Sequence, residues 1–167
     1  MFPGDLVGLQ ASLLGEMKHG VEAMTDMVLC VFSRERLWEL YRKHPERAYD
    51  VTWLAATEER ALGEALLTVG RRKAREQIAY LLHFLMRRGI ESGFSESETR
   101  MRFPFRQQDL ADAAGLSLVH TNKMLQDLRK QGVVHLEDGM LEVLKPDALR
   151  LAATVEDEPI TDNRPLL

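Results

Sequence analysis

One cysteine, Cys30, is all the thiol that this 167-residue chain contains. It excludes an internal disulfide and cannot by itself supply the four thiolates of an iron–sulfur cluster. Its place in the apolar run Met27 to Phe32 predicts a core-filling role. No apolar run approaches the ~20 residues that a membrane span needs, and Met1 does not open a signal peptide, so a cytoplasmic protein with no membrane partner is expected. The five histidines, His19, His44, His83, His120 and His135, have no metal-ligand spacing. There is no glycine-rich phosphate loop and no serine in a nucleophile elbow, so neither catalysis nor a bound metal is expected, and no cofactor is visible. Positive charge is also short. A net charge of −4 excludes a chain coated to hold nucleic acid indiscriminately, so any such binding must come from local arrangement.

What is present is ordinary globular composition, 45% hydrophobic and 29% charged, enough for one large domain or two small ones. The most informative stretch is Gln107 to Gln131. A helical run Gln107 to Ala114 stops at Gly115, and a second opens at Ser117, whose hydroxyl suits an N-cap. Glycine takes the left-handed turn without a Cβ clash, and Ala111 is small enough for two helices to cross closely. Leu110, Ala113 and Leu116, with Thr121, Met124, Leu125 and Leu128, recur at three- and four-residue spacing and predict the shared core. Val119, His120, Asn122, Lys123 and Gln126 then face outward, a polar and basic surface of a size that a DNA major groove admits.

The neighbouring segments extend this motif. Gly132 closes the helix, Val133 to Leu136 reads as a strand, Asp138-Gly139 is a type I′ hairpin signal, and Met140 to Leu144 returns. Met101 to Phe105 supplies a short edge strand around Pro104. Between Met101 and His135, five cations stand against three carboxylates. Together these predict a winged helix-turn-helix.

From the start, Met1 to Phe32 reads as strand-like, with a Pro-Gly-Asp turn and a short buried strand over Asp26 to Phe32, too little to complete a sheet. Ser33 caps a helix over Arg34 to Tyr41. Pro45 opens a long helix to about Val69, where Val51, Leu54, Glu58, Ala61, Ala65, Leu66 and Val69 follow a near-heptad rhythm. That seam fits either a helix packed on its twin or one packed on its own subunit. A break is expected at Gly70 to Arg72, followed by a helix over Lys73 to Arg88, a polar loop over Glu91 to Glu98, and a last helix from Pro146 to Ala153. The basic knot Arg71, Arg72, Lys73 and Arg75 reads as a solvated face.

The sequence from PGDLVGLQ through HPE and the long helix to GRRKAREQIAYLL and RQQDLADAAGLSLVHTNKMLQDLRKQGVV resembles the Crp/Fnr family of bacterial transcription regulators. The resemblance implies a mainly α fold with a small β component (α+β). Residues 1–43 would be the C-terminal remnant of a cyclic-nucleotide-binding-like β-roll lacking its first half, 44–72 a dimerisation helix and hinge, 73–154 the winged helix-turn-helix, and 155–167 a mobile acidic tail. It also implies a homodimer on a palindromic operator, with double-stranded DNA and RNA polymerase as partners; a heterodimerising interaction module without DNA binding is the alternative. Where relatives hold a cyclic nucleotide with an arginine, this chain has Lys18-His19-Gly20-Val21, so cyclic AMP is not expected. Iron–sulfur and haem sensing stay open.

In the second helix, positions that often hold Arg and Glu in the family are Leu118 and Val119, while the later basic position is kept as Lys123. The expected roles are Lys123 to a guanine edge, Asn122 to an adenine, and Val119 over a thymine methyl. His120, Gln107, Gln108 and Ser117 are expected near phosphates, aided by the helix N-terminus.

Overall fold

The computed structural model describes residues 1–156. The expected mobile tail lies outside them, apart from Val155 and Glu156, and Val155 packs against the core. The described residues divide into two compact units, Gly4–Ala61 and a second that joins Met1–Pro3 to residues 62–156.

The first unit holds α1 (Leu9–Leu14), α2 (Arg34–Lys43) and most of α3 (Pro45–Arg71). Pro45 starts α3 where its missing N–H has no helical partner. The helix then runs without interruption for 27 residues and passes through Gly70, ending one residue later. Neither α1 nor α2 contains a buried residue.

Residues 9–14 are helical where the segment from Met1 to Phe32 reads as strand-like, and two further expectations fail in this unit. Residues 26–32 form no strand and are not buried: Val28 is 97% exposed and Val31 88%. Cys30 is exposed too, so it fills no core. The physical reason is the same for both. A strand is stable only beside others, and no strand among the described residues of this unit offers it a ladder.

The second unit is built on α4 (Ala74–Glu91), which buries Ile78, Ala79, Leu82 and Met86 along one stripe. Against it lie β1 (Arg100–Arg102), α5 (Gln107–Ala114), α6 (Leu118–Lys130) and α7 (Pro146–Ala152), and β2 (Val134–Glu137) and β3 (Met140–Val143) complete the unit. The strands form an antiparallel sheet in the order β1-β3-β2. Met101, Val134, Leu141 and Val143 point inward, which leaves Arg100, Arg102, His135, Glu137 and Glu142 outward by the two-residue period. The hairpin tip has Asp138 at φ 51° and Gly139 at φ 70°, the pair of positive angles that a type I′ turn requires. Strand β1 ends before Pro104, at the sheet edge where a missing N–H breaks no ladder.

Leu82, Leu128, Leu141 and Leu149 from four different elements are essentially inaccessible and define the core centre. Burying each contributes about 1.5–3 kcal/mol. His83 on α4 is half-buried; desolvation, and then the nearby charges of Arg87 and Arg150, hold its pKa below the usual histidine value.

Candidate nucleic-acid interface

Helices α5 and α6 are joined by Gly115, whose φ of 65° is the left-handed turn that the sequence required. Its N–H donates to the carbonyls of Ala111 and Asp112, and Leu116 N–H follows onto Ala111 O at 2.9 Å. Ala111 is fully buried at this crossing. The inward stripe of α5 is Leu110, Ala111 and Ala114, not Ala113, which is exposed. Residues 107, 110, 111 and 114 share a face at 3.6 residues per turn, and Ala113 falls a quarter-turn away. On α6, Thr121, Met124, Leu125 and Leu128 are buried as their spacing predicted.

The ends of both helices are capped. Ser117 Oγ accepts from His120 N–H at 3.3 Å. At α5 the cap works in reverse: Arg106 N–H donates to the Asp109 carboxylate at 2.7 Å, and the Arg106 guanidinium grips the same carboxylate. These bonds hold the Asp109 pKa below the usual carboxylate value, side-chain bond first and backbone bond second. The far end of α6 is closed by Gly132 at φ 61°, by Lys145 Nζ donating to Gln131 O at 3.0 Å, and by Arg75 donating to Gln131 Oε1 at 2.7 Å.

With four positions of α6 inward, helical geometry places Val119, Lys123, Gln126 and Lys130 along the centre of the opposite face, and all four are exposed. His120 is also exposed on this helix, and Leu118 is 40% exposed at its first turn. Asn122 is half-buried at the flank, and its amide oxygen is turned into the protein without a hydrogen-bond partner. Gln107 and Gln108 sit on the first turn of α5, exposed, and Gln108 is tied to Asp112 at 2.7 Å. Lys130 was not among the residues singled out from the sequence, although it lies seven positions beyond Lys123 on the same helical face.

The corner that carries α4 is held by buried polar groups. Gln77 Nε2 donates to the carbonyls of Thr68 at 3.1 Å and Val69 at 3.3 Å, satisfying the end of α3. Arg72 stacks over the Tyr80 ring at 4.5 Å and donates to Glu64, Thr68 and Thr154. With its side chain only 9% exposed, Arg72 is a packed strut and not part of a solvated basic face.

Of the seven expected seam residues on α3, Val51 and Leu54 are buried within the chain itself, Ala61 is half-buried, and Glu58, Ala65, Leu66 and Val69 are exposed. Leu62, which the seam did not include, joins Leu66 and Val69 in an exposed apolar stripe at four- and three-residue spacing. No group of three or more His, Cys, Asp or Glu side chains able to hold a metal occurs among the described residues. No helix among them is long and apolar enough to cross a membrane.

Comparison with known proteins bears on this surface directly. The family model of a Crp-like helix-turn-helix domain matches residues 76–152, which covers α4 through α7. The transcriptional activator protein FnrL of Cereibacter sphaeroides is 31% identical over 160 residues, covering 95% of this chain and 63% of that protein. The nitrogen fixation regulation protein FixK of Rhizobium meliloti is 29% identical, covering 89% of this chain and 64% of that protein. The chain thus spans a little under two thirds of the length of these relatives. The structure of FixK2 from Bradyrhizobium japonicum shares the fold with a TM-score of 0.64 at 22% identity, covering 74% of this chain and 60% of the other. The chain belongs to the Crp/Fnr family, and its residues 76–152 are a Crp-like helix-turn-helix domain.

Proposed function

We propose that this chain is a sequence-specific, double-stranded-DNA-binding transcription regulator that grips a palindromic operator as a homodimer, with α6 in the major groove. The observation that carries the reading is the exposed line Val119, Lys123, Gln126 and Lys130 on a helix whose other side is the domain core. Lys123 is a donor suited to guanine O6 and N7, and Gln126 can pair with a base edge one turn on. Lys130 stands about 16 Å along the axis from Val119, beyond a groove ~12 Å wide, so its partner is a phosphate of the far strand. Ser117, His120, Gln107 and Gln108, at the N-terminal ends of two helices, meet phosphates on the near side. Asn122 pairs with an adenine only after its amide turns outward.

Dimerisation runs through the exposed stripe Leu62, Leu66 and Val69 with Ala65, since an apolar line on a long helix is stabilised by burial against its twin. RNA polymerase is the further partner, and the relative FnrL being a transcriptional activator supports activation as the output. No cyclic-nucleotide clamp is proposed, because Lys18-His19-Gly20-Val21 offers no guanidinium for a phosphate.

A mobility shift with a pool of random duplexes tests the reading. A sequence-selective band that weakens steeply with salt is expected. Absence of any band at low salt would favour a module that only pairs with other proteins. Light scattering checks the dimer separately, and a monomer at micromolar concentration would contradict the α3 stripe.

A further inference from the structure

The start of α6 is apolar where a groove-facing helix is normally polar. Val119 is 80% exposed at the centre of the outward face and Leu118 is 40% exposed beside it. The first turn of α6 contains no carboxylate, and the Ser117 hydroxyl is occupied by the His120 N–H. The next groove-facing polar group, Lys123, lies one turn on, about 6 Å along the axis. In the free protein this valine gains nothing from burial, and as a β-branched residue it is a poorer helix former than alanine.

We infer that Val119, flanked by Leu118, is a specificity-determining contact that selects one thymine in each half-site through its 5-methyl group; the inference rests on the groove placement of α6 proposed above. The argument is chemical complementarity. An apolar side chain pressed on purine N7 and O6, or on the cytosine amino group, strips water from those groups and returns no hydrogen bond, which disfavours them. Thymine alone of the four bases presents a methyl group on the major-groove edge. Valine suits the task because its χ1 is nearly fixed in a helix, so its methyls are oriented before contact and little rotamer freedom is lost. Cytosine is further disfavoured because no acidic side chain stands in this turn to accept from its amine.

The test uses the duplex that the full chain itself selects from a random pool, with each thymine of one half-site replaced in turn by deoxyuridine, which deletes only the methyl. One replacement is expected to weaken binding about fourfold, the effect of removing one buried methyl-sized group. With Val119→Ala that same replacement should have almost no effect, while Val119→Thr, which keeps a methyl, should restore the preference. Selective binding by the parent with no thymine sensitive to the swap would overturn the inference and leave the groove placement standing, as would a Val119→Ala chain that still distinguished thymine from uracil. No selective binding by the parent at all would overturn both.

Discussion

Residues 27–32 and residues 133–143 are both rich in branched apolar side chains, yet they meet opposite fates. The later segment forms two strands whose inward residues Val134, Leu141 and Val143 are buried, while Val28 and Val31 of the earlier one are almost wholly exposed. The difference is not composition. The later segment has a positive-φ turn to fold it back on itself, a third strand beside it, and α6 packed against its first strand. The earlier one has none of these among the described residues. Apolar sequence is permission to be buried, and only neighbours turn it into stability.

The contrast is most exposed to failure in the core. Leu128→Ala should destabilise by about 2–5 kcal/mol in denaturant unfolding, because it empties a fully enclosed site. Val28→Ser should stay within about 0.5 kcal/mol of the parent. A large loss from Val28→Ser would mean that the N-terminal segment packs in solution in a way that its exposure denies.

Binding should divide along the same line. Lys123→Ala is expected to cost about 1–3 kcal/mol of DNA affinity and to relax one base position. Lys18→Ala, an exposed residue paired with Glu16 in the other unit, should leave affinity unchanged in the same titration. Backbone constraint follows suit. Gly115→Ala forces a Cβ into a left-handed conformation and should cost about 1–2 kcal/mol in thermal unfolding. Gly20→Ala, with open space around it and no positive φ, should be neutral or slightly stabilising.

Smaller effects sharpen the picture at the helix ends. Ser117→Ala should remove about 1 kcal/mol by leaving the α6 N-terminus uncapped, visible as a lower melting temperature. Asp109 has a folded-state pKa below its unfolded value, so its stabilisation is complete above the usual carboxylate range and is lost as pH falls through the lower, folded value. Arg106→Gln, which removes the first cause of that shift, should make the acid limb of the stability profile shallower.

Much of the C-terminal unit was legible from local rules. Ser117 as N-cap, Gly115 as turn, Asp138-Gly139 as hairpin tip and the α6 core stripe all follow from chemistry within a few residues of sequence, and each is found. What could not be read depends on distance. Arg72 belonged to a run of charges that looked solvated, and only the approach of Tyr80 and Thr154 makes it a strut. Ala113 and Ala114 are chemically alike, so only the helix phase set by Leu110 and Ala111 decides which faces inward. Cys30 and its neighbours carried a strand pattern, but pairing partners are a property of the rest of the fold. On the candidate site, Val119, His120, Lys123 and Gln126 were legible as outward, Asn122 was not because it falls at the flank of the buried stripe, and Lys130 needed the full length of α6 to place it on the line.

The most direct test of a base-reading surface on α6 is sequencing of the duplexes that the parent and Lys123→Ala chains retain from one random pool. The parent should enrich a single palindromic motif, and the variant should enrich the same motif with one position per half-site degenerate. Identical motifs from both chains, or no enrichment by the parent at low salt, would contradict the placement of Lys123 in the groove.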